Sequence, residues 1–339
     1  MYRIVVFETS DIAFRRTIPA IMKSKHFQYG GFALANDEER NAVFKTDFKP
    51  SSEQIEKFKN AFGAKCYLSF DEALNDTEVD AIYLPLPPGL HFYWAKKVLM
   101  SGKHLFIEKP FVFTPSEANE LIDLAKQNDL AIHVNFAFLF HKQINTIVEL
   151  INNHEIFGEL RGIDANFGFP FRGEQDFRYN KMIGGGAIYD CACYPILLVD
   201  LLCGNKSEVK YSFYQNYQEQ GASLFGNFVL QSTDKNACGF GSYGMDNSYR
   251  CDLTVWGSKL KVFADRIFTP ASDYDVVINC VNSRGEVTRI AVGADDQFLN
   301  SVDYFNTLIC DKENRLRNFD LILHQSELIY NVERNGRNE

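Results

Sequence analysis

The sequence predicts an α/β protein with two domains: a doubly wound parallel sheet at the N-terminal end and an α+β domain with a large, mostly antiparallel open sheet after it. The chain has 339 residues, which exceeds the roughly 250 to 300 residues that one core supports. Its first 130 residues alternate short apolar runs with helical patterns, as βαβ units do. After residue 140, strand-like runs dominate. We therefore place the boundary between residues 138 and 139.

The N-terminal domain, 1–138, has the strand and helix pattern of a Rossmann-like fold. A first strand is predicted at 3–7, followed by a helix that reaches residue 22, a second strand at 32–35 and mostly helical structure over 37–62. Further strands are predicted at 81–84, 105–107 and 131–135, and helices at 91–100 and 115–128.

The C-terminal domain, 139–339, begins with a predicted helix at 143–153 and a strand from residue 161. Strands follow at 209–214, 223–230, 251–256 and 274–281, and the chain closes with helices near 296–310 and 319–333. Helices cover only one face of an open sheet of this kind. A half-apolar second face is an ordinary dimer surface, so we expect a homodimer or a higher homo-oligomer formed through this sheet.

The net charge, the cysteine spacing and the lengths of the apolar runs exclude several kinds of binding partner. The formal charge is −9, which disfavours nucleic acid, because a phosphate backbone requires a basic patch. The eight cysteines include no C-x-x-C pair and no metal-finger spacing, so we expect reduced thiols and no metal site. The first residues lack the pattern of a signal peptide, and no apolar run is long enough to span a bilayer. We expect a cytoplasmic protein without a membrane partner.

The turn after the first strand is where a dinucleotide fingerprint stands, because glycines and a helix N-terminus accommodate a diphosphate. Here Glu8 and Ser10 occupy the first two glycine positions and Ala13 the third. Glu8 and Asp11 would both bring negative charge to that site unless one turns away. On this stretch alone, a simple helix capped by Ser10 or Asp11 is the alternative.

A glycine-led stretch, 184–195, carries the chemistry of the second domain. Three glycines permit close backbone approach, and Asp190 and Tyr194 then share one face of the following helix at a spacing of four. Burying a carboxylate and a phenol on an otherwise apolar helix face costs free energy unless both are hydrogen-bonded, so their position requires an explanation. Pro195 predicts a kink just after Tyr194, and Gly204 predicts the C-terminal end of the helix.

These motifs, taken in order, resemble those of the glucose-fructose oxidoreductase / inositol dehydrogenase / MocA family. The resemblance rests on Pro85-Leu86-Pro87 before Leu90-His91, on Glu108-Lys109-Pro110, on the 184–195 stretch and on residues 295–298. The tyrosine at position 194 is most similar to that of dihydrodiol dehydrogenases and glucose-fructose oxidoreductases.

The resemblance implies a nicotinamide cofactor and hydride transfer to or from a hydroxyl or keto group of a sugar, polyol or sugar derivative. It implies Lys109, Asp190 and Tyr194 as catalytic residues that also contact the substrate. Arg178, just before the glycines, is a further candidate substrate contact. The residues that the resemblance implies for the cofactor are Thr9, Ser10, Asp11, Ile12, Asn36, Leu86, Pro87, His91, Glu108 and Lys109.

Asn36 falls near the end of the second strand, where the adenosine ribose is recognised, and Asp37 follows it instead of an arginine. An acid there would repel a 2′-phosphate, so we expect NAD rather than NADP. The chain departs from the family pattern at the two lost glycines, at Pro88 and at Ala192. These departures bear on cofactor affinity more than on the fold.

Oxidising an alcohol requires a proton acceptor at its oxygen. Tyr194 is the candidate, and the Lys109 ammonium would favour its phenolate form. Lys109 as the proton carrier, with Tyr194 orienting it, is an open alternative. The rival function is a cofactor-poor sugar-binding or regulatory protein on the same scaffold. Whether the substrate is a free sugar, a nucleotide sugar or a cyclic diol stays open.

Overall fold

A computed structural model describes residues 1–43, 50–63, 65–174, 176–217, 221–234 and 236–336. The chain divides into two compact units. The first unit contains Met1–Asn135 and Phe298–Ser326, and the second contains Phe136–Gln297 and Glu327–Glu339. No helix in the described ranges is long and apolar enough to cross a membrane.

The strands form two sheets. Six belong to the first sheet: β1 Tyr2–Phe7, β2 Phe27–Ala33, β3 Cys66–Tyr67, β4 Ala81–Leu84, β5 His104–Ile107 and β6 Ile132–Val134. Eight belong to the second: β7 Leu160–Gly168, β8 Ser207–Asn216, β9 Ser223–Ser232, β10 Cys238–Gly244, β11 Arg250–Gly257, β12 Leu260–Asp265, β13 Val276–Asn282 and β14 Val287–Gly293.

The α-helices, in chain order, are α1 Ile18–Lys23, α2 Asp37–Val43, α3 Ser52–Phe62, α4 Phe70–Asn75, α5 His91–Met100, α6 Pro115–Gln127, α7 Lys142–Asn152, α8 Cys193–Leu202, α9 Gln297–Cys310 and α10 Lys312–Asn335. Two π-helical turns, Ala13–Thr17 and Ile188–Ala192, run directly into α1 and α8. Part of the predicted helical region 37–62, residues 44–49, lies outside the described residues.

The first sheet is parallel, with the strand order β3-β2-β1-β4-β5-β6. This is the Rossmann order, whose ligand crevice opens at the carboxyl ends of β1 and β4, where the direction of winding reverses. Strands β1 and β4 are buried on both faces, since their apolar residues from Ile4 to Phe7 and from Ala81 to Leu84 have no exposed surface. Continuous apolar strands are what a parallel sheet covered on both sides requires.

Strand β2 begins five residues earlier than the sequence predicts, at Phe27 instead of Phe32. This strand contains a pair of glycines, and because glycine disfavours a strand prediction, the residues before Phe32 were missed. The register against β1 slips by one residue between Ile4 and Val5, which is a β-bulge at Gly30 and Gly31. A side chain at Gly31, whose φ is +122°, would meet the carbonyl oxygen of Lys65 at 2.1 Å. Glycine here therefore permits the bulge and the close approach of the neighbouring chain.

The segment Phe298–Ser326 belongs to the first unit, although the sequence-based division placed everything after residue 138 in the second domain. The reason lies in the apolar face of α9. Its Val302, Phe305 and Leu308 join the buried core of the first unit. The ring of Phe305 stacks on that of Phe27 at 5.4 Å between centroids. A late helix can thus complete an early core, which local sequence patterns do not reveal.

The second sheet has the order β14-β13-β12-β11-β7-β10-β9-β8, with one parallel pair, β7 and β10. All other neighbours are antiparallel. Helix α8 packs on β7, β9 and β10. It is buried almost all round, from Pro195 through Asp200, as a helix inside a core must be.

Candidate active site

The predicted cofactor residues lie at one edge of the parallel sheet. Thr9 to Ile12 follow β1, Asn36 follows β2, and Leu86 with Pro87 follow β4. Glu108 and Lys109 follow β5. The carboxyl ends of parallel strands meet at the same edge, and this edge flanks the switch point between β1 and β4. The structure therefore brings the predicted residues of the first unit to the place where this fold binds dinucleotides.

Glu8 adopts the conformation of the glycine that it replaces. Its φ is 62°, in the left-handed region that glycine favours. Its carboxylate points away from the helix start: Oε1 accepts a hydrogen bond from the N–H of Ala35 at 3.0 Å and from the Arg40 guanidinium at 2.7 Å. Burial raises the pKa of this carboxyl, while the charge of Arg40 lowers it. The expected clash between Glu8 and a diphosphate is thus removed by the direction of the side chain.

The helix start after Glu8 fits a diphosphate. Ser10 is the N-cap, because its Oγ accepts a hydrogen bond from the N–H of Ala13 at 3.1 Å. Asp11 turns outward to form an exposed ion pair with Arg15. Among the described residues, the N–H groups of Asp11 and Ile12 have no hydrogen-bond acceptor, and the buried Thr9 hydroxyl has no partner. Open N–H groups and an orphaned hydroxyl are what a bound anion would satisfy.

The side chain of Asn36 caps the N-terminus of α2. Its Oδ1 accepts from the N–H of Glu39 at 2.8 Å, and the Glu39 carboxylate returns a bond to the N–H of Asn36 at 2.8 Å. This reciprocal arrangement is a capping box. Asp37 is exposed beside it. Asp37 follows Asn36, and the arginine of this short helix, Arg40, reaches Glu8.

His91 joins the two loops that follow β4 and β5. Its ring is fully buried, with Nε2 at 2.8 Å from the carbonyl oxygen of Leu86 and Nδ1 at 2.8 Å from that of Pro110. Burial lowers the pKa of the ring, against the opposing effect of these carbonyls. Both ring nitrogens face backbone carbonyl oxygens, so His91 holds the two loops together.

Glu108 is the centre of a buried polar network that local sequence patterns do not predict. Its Oε1 accepts from the Tyr83 hydroxyl and from Asn135 Nδ2, both at 2.6 Å. Asn135 in turn accepts from Ser301 on α9 at 2.9 Å. Burial raises the pKa of the Glu108 carboxyl, while these hydrogen bonds and the charge of Lys109 lower it. Such a network fixes the backbone from which Lys109 projects.

Lys109 itself is partly exposed, and its peptide bond to Pro110 is cis. Its positive charge acts on both neighbours, lowering the pKa of Glu108 and of His91. Lys109 therefore brings a positive charge to this edge, on a loop that Glu108 and His91 hold from two sides.

In the second unit, Gly185 and Gly186 let the 184–195 stretch pass close to other backbone, as predicted. A side chain at Gly185 would meet the carbonyl oxygen of Arg178 at 2.4 Å, and one at Gly186, whose φ is +139°, would meet Ser223. These contacts fix the start of the helix against the loop that carries Arg178. The glycines therefore serve backbone packing within the second unit.

The helix that follows does not begin as an α-helix. Residues Ile188–Ala192 form a π-helical turn, in which the N–H of Cys193 bonds to the carbonyl of Ile188. This irregularity precedes Tyr194, whereas the kink predicted from Pro195 was placed just after it. Pro195 is the third residue of α8, and because the π-turn runs directly into this helix, its missing N–H leaves a carbonyl of that turn without its helical bond. Gly204, with φ of +95°, lies just past the end of α8 as expected. Single π-turns of this kind often occur at functional sites.

Arg178 binds Asp190, and the sequence did not predict this pair. Its Nε donates to Asp190 Oδ2 at 2.8 Å, and its Nη1 donates to Asp176 at 3.1 Å. The two acids raise the pKa of the guanidinium, against the effect of burial. One arginine between two carboxylates leaves this cluster with a net negative charge. Asp190 is thereby held in one orientation from outside its own helix.

Tyr194 stands among phenylalanine rings. The centroids of Phe136, Phe138, Phe167 and Phe268 lie 5.0 to 6.1 Å from that of Tyr194. The tyrosine is nevertheless partly exposed, whereas these phenylalanines are buried. Rings on several sides restrict the phenol to one orientation with its apolar body covered. Phe136 and Phe138 come from one turn, Phe167 from β7 and Phe268 from the loop after β12, so local sequence spacing does not bring the four rings together.

Two other expectations concern thiols and metals. All eight cysteines are free, and Cys191 and Cys193 are buried, with their thiols directed at the carbonyls of Gly244 and Tyr189. Within the described ranges, no group of three or more His, Cys, Asp or Glu side chains could hold a metal ion.

Comparison with known proteins identifies the class. Residues 20–136 match the model of an oxidoreductase family with an NAD-binding Rossmann fold, and residues 144–262 match a GFO/IDH/MocA C-terminal domain. The chain belongs to this family of oxidoreductases.

Relatives that match along most of their length share one name. A dTDP-3,4-didehydro-2,6-dideoxy-α-D-glucose 3-reductase from Saccharopolyspora spinosa is 32% identical over 304 residues, covering 89% of this chain and 86% of its own. The reductase of that name from Actinomadura kijaniata is 27% identical over 335 residues, covering 99% and 96%.

A solved structure of an enzyme with a similar name also matches nearly the whole chain. The crystal structure of a 3-ketoreductase from Actinomadura kijaniata, in complex with NADP and TDP-benzene, superposes with a TM-score of 0.88 at 27% identity, covering 98% of this chain and 97% of that one. The same enzyme has been crystallised in an open conformation, with a TM-score of 0.86 at 26% identity and the same coverage of 98% and 97%.

Proposed function

We propose that this protein is a nicotinamide-dependent reductase of a keto group on a nucleotide-linked sugar, of the dTDP-3-keto-sugar class. The observation that carries the proposal is the match over nearly the whole of both chains to reductases of that name from several organisms.

The residues of the first unit would hold the cofactor. The N–H groups of Asp11 and Ile12 and the Thr9 hydroxyl suit the diphosphate, and the β2 end with Ala35 and Arg40 suits the adenosine ribose. A bound reduced nicotinamide supplies the hydride. We propose NAD(H) as the preferred form, although the 3-ketoreductase from Actinomadura kijaniata was crystallised with NADP.

Tyr194 is the proposed proton donor to the substrate oxygen during reduction. A phenol, with an ordinary pKa near 10, releases its proton most readily when a cation lies nearby, and Lys109 is proposed to be that cation. The opposite assignment, with Lys109 donating the proton and Tyr194 orienting the ketone, stays open. Asp190, oriented by Arg178, is proposed to bind a substrate hydroxyl, and Arg178 to contact the substrate through its exposed surface.

The test measures oxidation of NADH and NADPH with a dTDP-linked 3-keto sugar, a free sugar and a cyclic diol. We expect turnover of the nucleotide sugar. Tyr194→Phe should lower kcat about 100-fold or more while KM changes little, because the lost proton transfer acts in the transition state. Tyr189→Phe is the matched control, since Tyr189 lies on the preceding π-turn and its hydroxyl bonds to Glu333.

Lys109→Met separates the two proton assignments. If Lys109 assists Tyr194, the variant shifts the basic limb of the pH profile toward higher pH; if it carries the proton itself, the limb disappears. Absence of NADH, NADPH and sugar-nucleotide turnover, together with absence of cofactor binding, would instead support the rival sugar-binding protein.

A further inference from the structure

The loop that follows β7 brings aromatic rings and an arginine to one edge of the second sheet. The ends of β8 and β10 lie at the same edge, because both strands run in the direction of β7. Tyr179 anchors this loop. Its hydroxyl donates to the carbonyl of Met245, just after β10, at 2.8 Å and accepts from the N–H of Arg172 at 3.1 Å.

The rings of Phe171, Tyr179 and Tyr217 form an aromatic platform at this edge. The ring centroid of Phe171 lies 4.7 Å from that of Tyr179 and 6.1 Å from that of Tyr217. The two tyrosine centroids are 5.6 Å apart. Tyr179 is buried, whereas Phe171 is 40% exposed. An exposed ring held by two others presents a fixed surface on which a planar ligand such as a nucleobase stacks.

Arg172 adds a positive charge beside the aromatic platform. Its guanidinium carbon lies 4.5 Å from the centroid of the Phe169 ring. Stacking occupies a face of the guanidinium and leaves its in-plane N–H groups able to bind phosphate oxygens. The carboxylates of Asp176 and Asp190 bind Arg178 instead, and in the part of the chain that the structure describes no carboxylate pairs with Arg172. A bound anion would therefore find its positive charge at Arg172.

A series of rings connects this cation to the proposed proton donor. The centroid of Phe167, on β7, lies 5.0 Å from that of Tyr194 and 6.1 Å from that of Phe169. From Tyr194 outward, the second unit thus carries the proposed sugar contacts, then an unpaired guanidinium, then the aromatic platform. A nucleotide-linked sugar has its sugar, diphosphate and base in the same order.

We propose that Arg172 binds the diphosphate, and that Phe171 stacks on the base, of a sugar linked to a nucleoside diphosphate. The inference rests on the proposed function, because the sugar itself would lie at Tyr194. It assigns recognition of the nucleotide part to two residues outside the proposed catalytic group.

Calorimetry of dTDP binding to the full-length protein, with NAD⁺ or NADP⁺ present, separates the two contacts. Phe171→Ala should weaken binding about tenfold, because it removes base stacking, and Phe171→Tyr should restore it. Arg172→Met should also weaken binding about tenfold, because it removes a charged phosphate contact. Raising the salt concentration should weaken binding less in Arg172→Met than in wild type, and equally in Phe171→Ala and wild type.

Two control variants carry the same substitutions elsewhere in the second unit. Arg161→Met removes an exposed arginine of β7, and Phe225→Ala removes a ring of β9 that is 38% exposed. Both should leave dTDP affinity unchanged. In turnover of a dTDP-linked 3-keto sugar, Phe171→Ala and Arg172→Met should raise KM about tenfold and lower kcat much less, because the nucleotide contacts act equally on substrate and transition state.

The outcomes distinguish this subsite from the proposed function. If wild type reduces the nucleotide sugar and neither variant changes KM or dTDP affinity, the subsite is wrong and the function stands. If dTDP binding depends on both residues but no nucleotide sugar is reduced, the function fails and the subsite stands. If Phe171→Ala alters only the oligomeric state, the aromatic platform is a contact between copies of the chain. Folded wild type that binds no dTDP overturns both proposals.

Discussion

His133 links the stability of the first unit to pH. It is fully buried, its Nε2 lies 2.8 Å from the Ser301 hydroxyl, and its ring stacks on Phe106. Burial lowers its pKa to about 3, compared with about 6.5 in an unfolded chain. Between these values the unfolded state binds more protons than the folded state, so stability falls as the pH falls below about 6.5.

Replacing His133 should therefore flatten the pH dependence of unfolding. Between about pH 7.5 and pH 5.5, His133→Gln should remove about 1.4 kcal/mol of the acid-induced loss in unfolding free energy. Urea titrations at both values measure this difference, which a general loss of stability does not affect. His26, which is exposed, provides the control substitution His26→Gln. Equal slopes for wild type and His133→Gln would contradict the prediction.

Helix α6 is an element whose N-terminus has clear signals in the sequence. Thr114 accepts from the N–H of Glu117 at 3.2 Å, and the Glu117 carboxylate accepts from the N–H of Thr114 at 3.0 Å. Pro115 occupies the first helical position. We expect Thr114→Ala to cost about 1 kcal/mol of unfolding free energy, because it leaves helix N–H groups unsatisfied. Thr146→Ala, in the interior of α7, is the control, and equal losses for both would refute a capping effect.

The sequence predicted those elements whose local signals agree. Strand β4 and helix α5 have the predicted bounds, since an apolar run, a proline-rich break and a helical pattern follow one another. The first half of β2 and the π-turn before α8 were missed. Their shape depends on Gly31 meeting Lys65 and on Gly185 meeting the backbone of Arg178, which are contacts distant in sequence.

The site residues divide in the same way, into those with a local sequence signal and those that depend on contacts distant in sequence. Lys109 and Tyr194 carry motifs that a family resemblance can find, whereas Arg40, Tyr83 and Asn135 do not. Arg40 can be identified as a residue of this site only when the structure shows that the Glu8 side chain points toward the end of β2. A charged residue at a position meant for glycine requires a partner if buried, and that requirement was the available signal.

At the scale of the whole molecule, the outer face of the second sheet carries large apolar side chains. Tyr211, Val229 and Phe240 form a cross-strand row on β8, β9 and β10. Tyr211 is 55% exposed and Phe240 is 47% exposed, and Trp256 on β11 is 65% exposed. Aromatic rings exposed on a regular sheet surface are typical of a buried interface between copies of a chain.

We therefore propose a homodimer formed by this face and predict its response to charge. Light scattering after size exclusion should give a dimer for wild type and a monomer for the double variant Phe240→Asp and Trp256→Asp, because two desolvated carboxylates would oppose association. Since both side chains are largely exposed, circular dichroism of the monomer should match that of wild type. Met182→Asp, at an 81% exposed residue outside the sheet, should leave the dimer intact. Wild-type protein that is monomeric at micromolar concentration would show that this face has another use.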